Sequence, residues 1–171
     1  MLEIILDDVE IALGASSVLT NLSYRFSSGT VTALVGPSGV GKSTLISCIG
    51  RLMPIDGGEI TALWDGEELR PSRYRELIAV SRSDLSLYGH LTAEENLRFF
   101  LAQRGIRVPS SVLKRLFKRV GLSEFSLKEQ VQNFSPGMFG RLQLAFVIAS
   151  RAPIWLLDDP GAGAGESGWA V

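Results

Sequence analysis

The stretch Gly36-Pro37-Ser38-Gly39-Val40-Gly41-Lys42-Ser43-Thr44 constrains the fold of this chain more than any other. It matches the pattern G-x-x-x-x-G-K-[ST] at every fixed position. Glycines at 36, 39 and 41 let successive backbone N–H groups converge on one concavity, which suits phosphate oxygens. Lys42 adds a full positive charge at the β/γ end of a nucleotide, and the Ser43 hydroxyl is a hard oxygen ligand of the kind Mg²⁺ prefers. Such a loop needs a strand before it and a helix after it. Thr30–Val35 is short, uncharged and rich in β-branched residues, which predicts a buried parallel strand. Leu45, Ile46, Ile49 and Leu52 recur at helical spacing until Pro54 and Gly57-Gly58 stop the pattern. The start of that helix then aims its positive end at the phosphates. The context predicts a nucleotide-binding loop in an α/β fold.

At 171 residues the chain is long enough for one domain with a real core. Its net charge is −1 and its basic residues are scattered, so nucleic acid is a poor candidate for a partner. The single cysteine, Cys48, falls inside the helix after the loop and reads as a small core residue in a reducing compartment, which excludes a disulfide and a Cys/His metal site. The N-terminus is acidic within a few residues and lacks the basic region of a secretory signal. Hydrophobic residues make up 46% and the mean hydropathy is +0.21, high for a free-standing soluble domain. No uncharged run approaches the ~20 apolar residues of a membrane span. The surplus reads as core plus an apolar docking surface, with no transmembrane segment of the chain's own.

Residues 2–35 alternate apolar runs with turn signals, which predicts several strands ahead of the loop. Glu59–Trp64 reads as a strand closed by the turn Asp65-Gly66, and Leu77–Val80 as another. Ser81–His90 is polar and irregular. Thr92-Ala93-Glu94-Glu95 fits a capping box for a helix whose apolar face is Leu97, Phe100 and Leu101. A second amphipathic helix sets Val112, Leu113, Leu116, Phe117 and Val120 against Lys114, Arg115, Lys118 and Arg119, with Gly121 as its stop. Its basic face reads as solvated.

Ser135 is a good N-cap and Pro136 is well placed at the first position of a helix whose buried side is Leu142, Ala145, Phe146 and Ala149. Ile154-Trp155-Leu156-Leu157 reads as a buried strand with Asp158-Asp159 at its C-terminal tip, the edge where ligands sit in open α/β sheets. An Asp there can hold Mg²⁺, directly or through water, and a second carboxylate can polarise an attacking water. In isolation the pair reads equally as an acidic turn before Pro160; together with the phosphate loop the metal reading prevails. The Gly/Ala-rich tail 160–171 reads as flexible.

A phosphate loop, a helical insert, Phe-Ser-x-Gly opening a helix and then Trp-Leu-Leu-Asp-Asp-Pro resemble the ATP-binding subunit of an ABC transporter across nearly the whole chain. Leu91–Phe99, Arg141–Ala145 and Arg151–Leu157 are most similar to the ATPase of the cytochrome c maturation system, the haem-exporter type. The resemblance implies a P-loop NTPase core with a mainly parallel sheet, N-terminal antiparallel strands and a helical insert. It divides a single ATP-binding domain into a core of about 1–82 and 151–160 and an insert of about 83–150. It implies that Gly36, Pro37, Ser38, Gly39, Val40, Gly41, Lys42, Ser43 and Thr44 wrap the phosphates of ATP. Ser43 would bind Mg²⁺, Asp158 would support the metal, and Asp159 would stand where the family has its catalytic carboxylate. Ser135 and Gly137 would touch the γ-phosphate of ATP held by a second ATP-binding subunit. The implied partners are that second copy and integral membrane subunits, at the cytoplasmic face of a membrane or the matrix side in an organelle.

The departures from the family pattern bear on hydrolysis. The usual Leu-Ser-Gly-Gly-Gln is Phe134-Ser135-Pro136-Gly137-Met138 here, and the catalytic Glu is Asp159, one methylene shorter. No Gln occurs between residues 50 and 100, and Ser83 lies near its expected place. The adenine-stacking aromatic corresponds to Leu13, and the Asp expected after the catalytic carboxylate falls near Gly165. The one histidine, His90, lies far upstream of the family's switch His and reads as a solvated loop residue. With the given sequence ending at Val171, before the place of that switch His, the resemblance implies a C-terminally truncated domain. The alternative to a working ATPase is thus a truncated or degenerate domain that binds ATP, hydrolyses it little and acts by nucleotide-dependent association. A small-molecule kinase fits less well, since no acceptor-site signal accompanies the loop.

Overall fold

Ile4, Leu6, Val9 and Ile11 all point into the core from the first strand, β1 (Leu2–Leu13), although their spacing changes phase between Leu6 and Val9. In the computed structural model, which describes residues 1–14, 16–82, 84 and 87–160, an irregularity at this point absorbs the extra residue. Asp8 adopts a left-handed conformation there (φ 45°), and the strand pairing shifts between Asp7 and Glu10. The bulge keeps all four side chains on one face, which a continuous strand could not do. Gly58 lies opposite with φ 74°, and a Cβ at this position would run into the Asp7 and Asp8 carbonyl oxygens. Only glycine fits both the conformation and the space.

The chain divides into two compact units, Met1–Ile78 and the residues from Ala79 onward. In the first, β1 pairs antiparallel with β2 (Ser16–Ser27) and with β3 (Gly57–Trp64), and β3 pairs with the short β4 (Glu67–Glu68). The order across this four-stranded sheet is β2-β1-β3-β4. Helix α1 (Lys42–Ile49) buries Leu45, Ile46, Cys48 and Ile49. Its C-terminal end is tied to helix α2 (Pro71–Leu77), where the buried Tyr74 hydroxyl donates to the Ile49 carbonyl at 2.9 Å. Arg51 donates to the Ile60 carbonyl at 2.5 Å and lies over the Tyr74 ring, 5.6 Å from its centroid.

The predicted strand over 30–35 does not form. Val31 and Val35 are 101% and 92% exposed, and Thr30 Oγ1 donates to the Ser27 carbonyl at 2.6 Å, extending the turn that follows β2. A run of β-branched residues becomes a strand only through pairing and packing, and no described strand pairs with this one. Besides the four-stranded antiparallel sheet, the described residues form one two-stranded sheet of β5 (Ile78–Ser81) and β6 (Ile154–Leu157). Three further readings are corrected. Leu52 lies beyond the end of α1 and is 52% exposed, because Arg51 turns the chain through a left-handed conformation (φ 56°). Leu77 closes α2 rather than opening β5. Trp155 in β6 is 47% exposed, so that strand is half-buried rather than buried.

The second unit is built on helices α3 (Ala93–Gln103), α4 (Ser110–Arg119) and α5 (Pro136–Ala149). The capping box at Thr92 is complete: Thr92 Oγ1 accepts from the Glu95 N–H at 3.2 Å and Glu95 Oε2 accepts from the Thr92 N–H at 2.8 Å. Leu97, Leu101, Leu113, Leu116, Phe117, Leu142 and Ala145 form one apolar core across the three helices. Each fully buried Leu or Phe there contributes roughly 1.5–3 kcal/mol. Val120 packs with them, and Gly121 (φ 74°) follows the end of α4. Two short 3₁₀ segments, Glu124–Lys128 and Val131–Asn133, return the chain alongside the start of α3. There the Ala93 N–H donates to Glu129 and the Val131 N–H to Leu91. A smaller cluster of Ala79, Val147, Ala152 and Leu157 packs α5 on β5 and β6.

Candidate functional sites of the two units

In the first unit the phosphate loop leads directly into α1. Gly41 is the N-cap of that helix in a left-handed conformation (φ 100°), and no side chain caps it. A Cβ on Gly41 would meet the Val18 side chain, so the position is closed to larger residues. The first turn of α1 carries no acidic side chain, which leaves its amide end favourable to an anion. Lys42 Nζ donates to the carbonyls of Gly36 and Pro37, each at 2.8 Å. The ammonium is thereby folded over the loop by the carbonyls that precede it, and the Val40 N–H closes the turn onto Pro37 at 3.4 Å. Ser43 is exposed, and its carbonyl accepts from the Ser47 hydroxyl at 2.5 Å. These residues suit a nucleotide's phosphates with a hard divalent ion: one cation, a glycine turn, an uncapped helix start and a hydroxyl beside them.

In the second unit Ser135 caps α5, its Oγ accepting from the Met138 N–H at 3.2 Å, and Pro136 occupies the first helical position. Ser135 is exposed and Gly137 half-buried. Asp158 and Asp159 follow β6 directly, Asp158 half-buried and Asp159 exposed in a left-handed conformation (φ 46°). The Asp158 N–H donates to the Ser81 carbonyl at 2.8 Å. A cleft of about 260 Å³ lies between the start of α5 and this tip, lined by Phe134, Pro136, Phe139, Leu157, Asp158 and Asp159 among others. The structure therefore brings Ser135's helix and the two carboxylates to one cleft of the second unit. Among the described residues no cluster of three or more His, Cys, Asp or Glu side chains is arranged to hold a metal alone. Ser83 and the tail 161–171, with Gly165, lie outside the described residues. Leu13 is 51% exposed and His90 is exposed, its carbonyl accepting from Gln130 at 3.1 Å.

The model of the family described as "ABC transporter" matches residues 19–162. The chain belongs to this family. A curated relative, the linearmycin resistance ATP-binding protein LnrL of Bacillus subtilis, is 29% identical over 160 residues, covering 92% of this chain and 51% of that protein. The cytochrome c biogenesis ATP-binding export protein CcmA of Cereibacter sphaeroides is 34% identical over 149 residues, covering 87% of this chain and 63% of its own length. The chain thus spans about half to two thirds of the length of these relatives. Among solved structures, the ATP-binding cassette MJ0796, a dimer bound to ADP and phosphate, superposes with a TM-score of 0.81 at 25% identity, covering 96% of this chain and 77% of that one. The α/β fold of the ABC ATPases is established on these matches. The cytochrome c maturation type is not singled out by them, because LnrL covers as much of the chain as CcmA does. The phrases that suggest it fall on α3, on α5 and at β6, elements that contribute side chains to the apolar clusters of the second unit.

Two site features escape a linear reading. Gln143 and Ser81 are buried polar residues next to Asp158. The signal for Gln143 is its place between Leu142 and Leu144 in an otherwise apolar stripe. Asn96 is 1% exposed and holds the segment before α3 through hydrogen bonds to the Tyr88, Leu91 and Thr92 carbonyls and the Tyr88 N–H. Nothing local to its sequence marks it.

Proposed function

We propose that this chain is an ATP-binding, ATP-hydrolysing subunit that powers an ABC transporter. The observation that carries the reading is Lys42 Nζ held by two loop carbonyls at the uncapped start of α1. In this reading Gly36–Thr44 bind the phosphates of ATP, Lys42 neutralises charge developing at the γ-phosphoryl group, and Ser43 and Asp158 serve Mg²⁺. When bound, Mg²⁺ supplies charge neutralisation on the phosphate oxygens. Asp159 orients water, and Ser135 and Gly137 at the start of α5 meet the ATP of a second copy, as helix starts favour anions. Core and helical insert act as one ATP-binding domain. The partners are a second such subunit and integral membrane subunits, with the chain peripheral at the cytoplasmic face. No described helix is long and apolar enough to cross a membrane. Haem export for cytochrome c maturation is the substrate reading, supported by the 34% identity to CcmA.

A second reading is favoured by Asp159, whose short side chain starts from an exposed left-handed backbone. In that reading the chain binds ATP, hydrolyses it little and acts through nucleotide-dependent association. Both readings require nucleotide binding. Titration of a fluorescent ATP analogue is the test: Lys42→Ala is expected to weaken binding at least about tenfold, the worth of one charged hydrogen bond. Equal affinity in the variant would overturn both. With binding confirmed, a steady-state ATPase assay at high protein concentration separates them.

A further inference from the structure

We propose that Gln143 is a positioning residue that fixes Asp158 from helix α5, a role that rests on Asp158 serving the metal as proposed above. Gln143 is 7% exposed, and Ser81, which it faces, is 5% exposed. An amide in that apolar stripe is costly unless both of its ends are satisfied. Both are: Oε1 accepts from the Ser81 hydroxyl at 3.2 Å and Nε2 donates to the Arg82 carbonyl at 2.6 Å. The Ser81 carbonyl in turn accepts the Asp158 N–H at 2.8 Å. One side chain of α5 thus grips two consecutive residues at the end of β5, and the first of them holds the backbone of Asp158.

The apolar contacts of this layer cannot do the same. Ala79, Val147, Ala152 and Leu157 set the separation of α5 from the two strands, but such contacts are non-directional and tolerate sliding. β6 pairs only with β5 among the described residues, so the placement of Asp158 follows the placement of Ser81. Directional bonds from Gln143 supply the register that packing leaves open. The same helix carries Ser135 at its N-cap, two turns before Gln143. The network therefore holds the cap of α5 and the backbone that carries the Asp158 carboxylate in one frame, as outer hydrogen bonds orient ligands in metal sites generally.

The test is a Mg²⁺ titration of ATP binding with the full chain, comparing wild type, Gln143→Met, Ser81→Ala and Asp158→Asn. Gln143→Met preserves volume and removes both bonds; Ser81→Ala removes one bond and leaves the amide on Arg82. The Mg²⁺ concentration for half-maximal effect is expected to rise on the order of tenfold in Gln143→Met, as for loss of an outer-shell partner. A smaller rise is expected in Ser81→Ala. ATP affinity in EDTA should be unchanged in both, a pattern that general destabilisation would not produce. Should Gln143→Met fail to fold by circular dichroism, Ser81→Ala carries the test. A wild-type Mg²⁺ midpoint in the folded variants, with Asp158→Asn shifted, overturns the positioning role alone. No effect of Asp158→Asn overturns the metal reading of Asp158, and the role of Gln143 falls with it.

Discussion

The Glu94 carboxylate on α3 accepts a hydrogen bond from Lys128 Nζ at 2.9 Å, tying the helix to the 3₁₀ segment that returns beside it. The same carboxylate accepts from Arg98 at 2.7 Å and from the Ser110 hydroxyl at 3.0 Å, so it joins the starts of α3 and α4 as well. The Lys128 bond and then the Arg98 bond lower its pKa to about 2, against the desolvation that would raise it. A carboxylate whose pKa is depressed on folding adds stability above its unfolded pKa and loses it as pH falls through the folded one. The window here is about pH 4.5 down to 2. Because Lys128 is 80% exposed, the contribution is discounted to about 2 kcal/mol. Urea unfolding of Glu94→Gln should show that loss at pH 7 and a flatter decline below pH 4.5 than the wild type.

Cys48 gives a second prediction. It is 1% exposed, its Sγ donates to the Pro54 carbonyl at 3.3 Å, and burial, then the nearby Asp56 charge, pushes the thiol pKa upward. The thiolate is the reactive species, so both accessibility and ionisation oppose modification. Alkylation of the native protein at pH 8 should run at least about a hundredfold slower than in denaturant. Rapid labelling of the folded protein, followed by mass spectrometry, would contradict this placement.

Much of the second unit was legible because its determinants are local. Thr92 and Glu95 lie within one turn, Ser135 and Pro136 are adjacent, and the α4 face repeats at helical spacing. Each needs no distant partner to act. The strand expected over 30–35 failed for the opposite reason: Val31 and Val35 have strand-like side chains, yet a strand exists only where another pairs with it. Helix α2 was missed although Pro71 opens it and Tyr74 and Leu77 are one turn apart, because seven residues give too short a period to stand out. Gln143 and Ser81 were invisible as a pair, since only the fold sets side chains so far apart in sequence within hydrogen-bond distance. In the phosphate loop the residues were legible and the folding of Lys42 onto its own carbonyls was not.

Gly58 tests whether the bulge in β1 is a requirement of the fold. Its φ of 74° disfavours any side chain, and an added Cβ would meet the Asp7 and Asp8 carbonyl oxygens, which are backbone and cannot swing away. Gly58→Ala should cost at least about 2 kcal/mol, from the left-handed conformation and the displaced strand together. Thermal unfolding read by circular dichroism measures it. A variant as stable as the wild type would show that β1 and β3 can re-register, and that the face shared by Ile4, Leu6, Val9 and Ile11 does not depend on this pairing.

Asp159 decides between the two functional readings. Its side chain is one methylene shorter than Glu and leaves an exposed left-handed backbone, so its carboxylate is set back from wherever a Glu at this position would reach. A slip of about 1 Å in a group that orients a nucleophile can cost about a hundredfold in rate. If the short reach limits hydrolysis, Asp159→Glu should raise ATPase turnover by about tenfold or more, with ATP affinity unchanged. Lys42→Ala on that background should remove the gain, because the added rate would still depend on the phosphate loop. An unchanged turnover in Asp159→Glu, with nucleotide binding intact, would place the limit elsewhere and favour the chain's action as a nucleotide-dependent binding module.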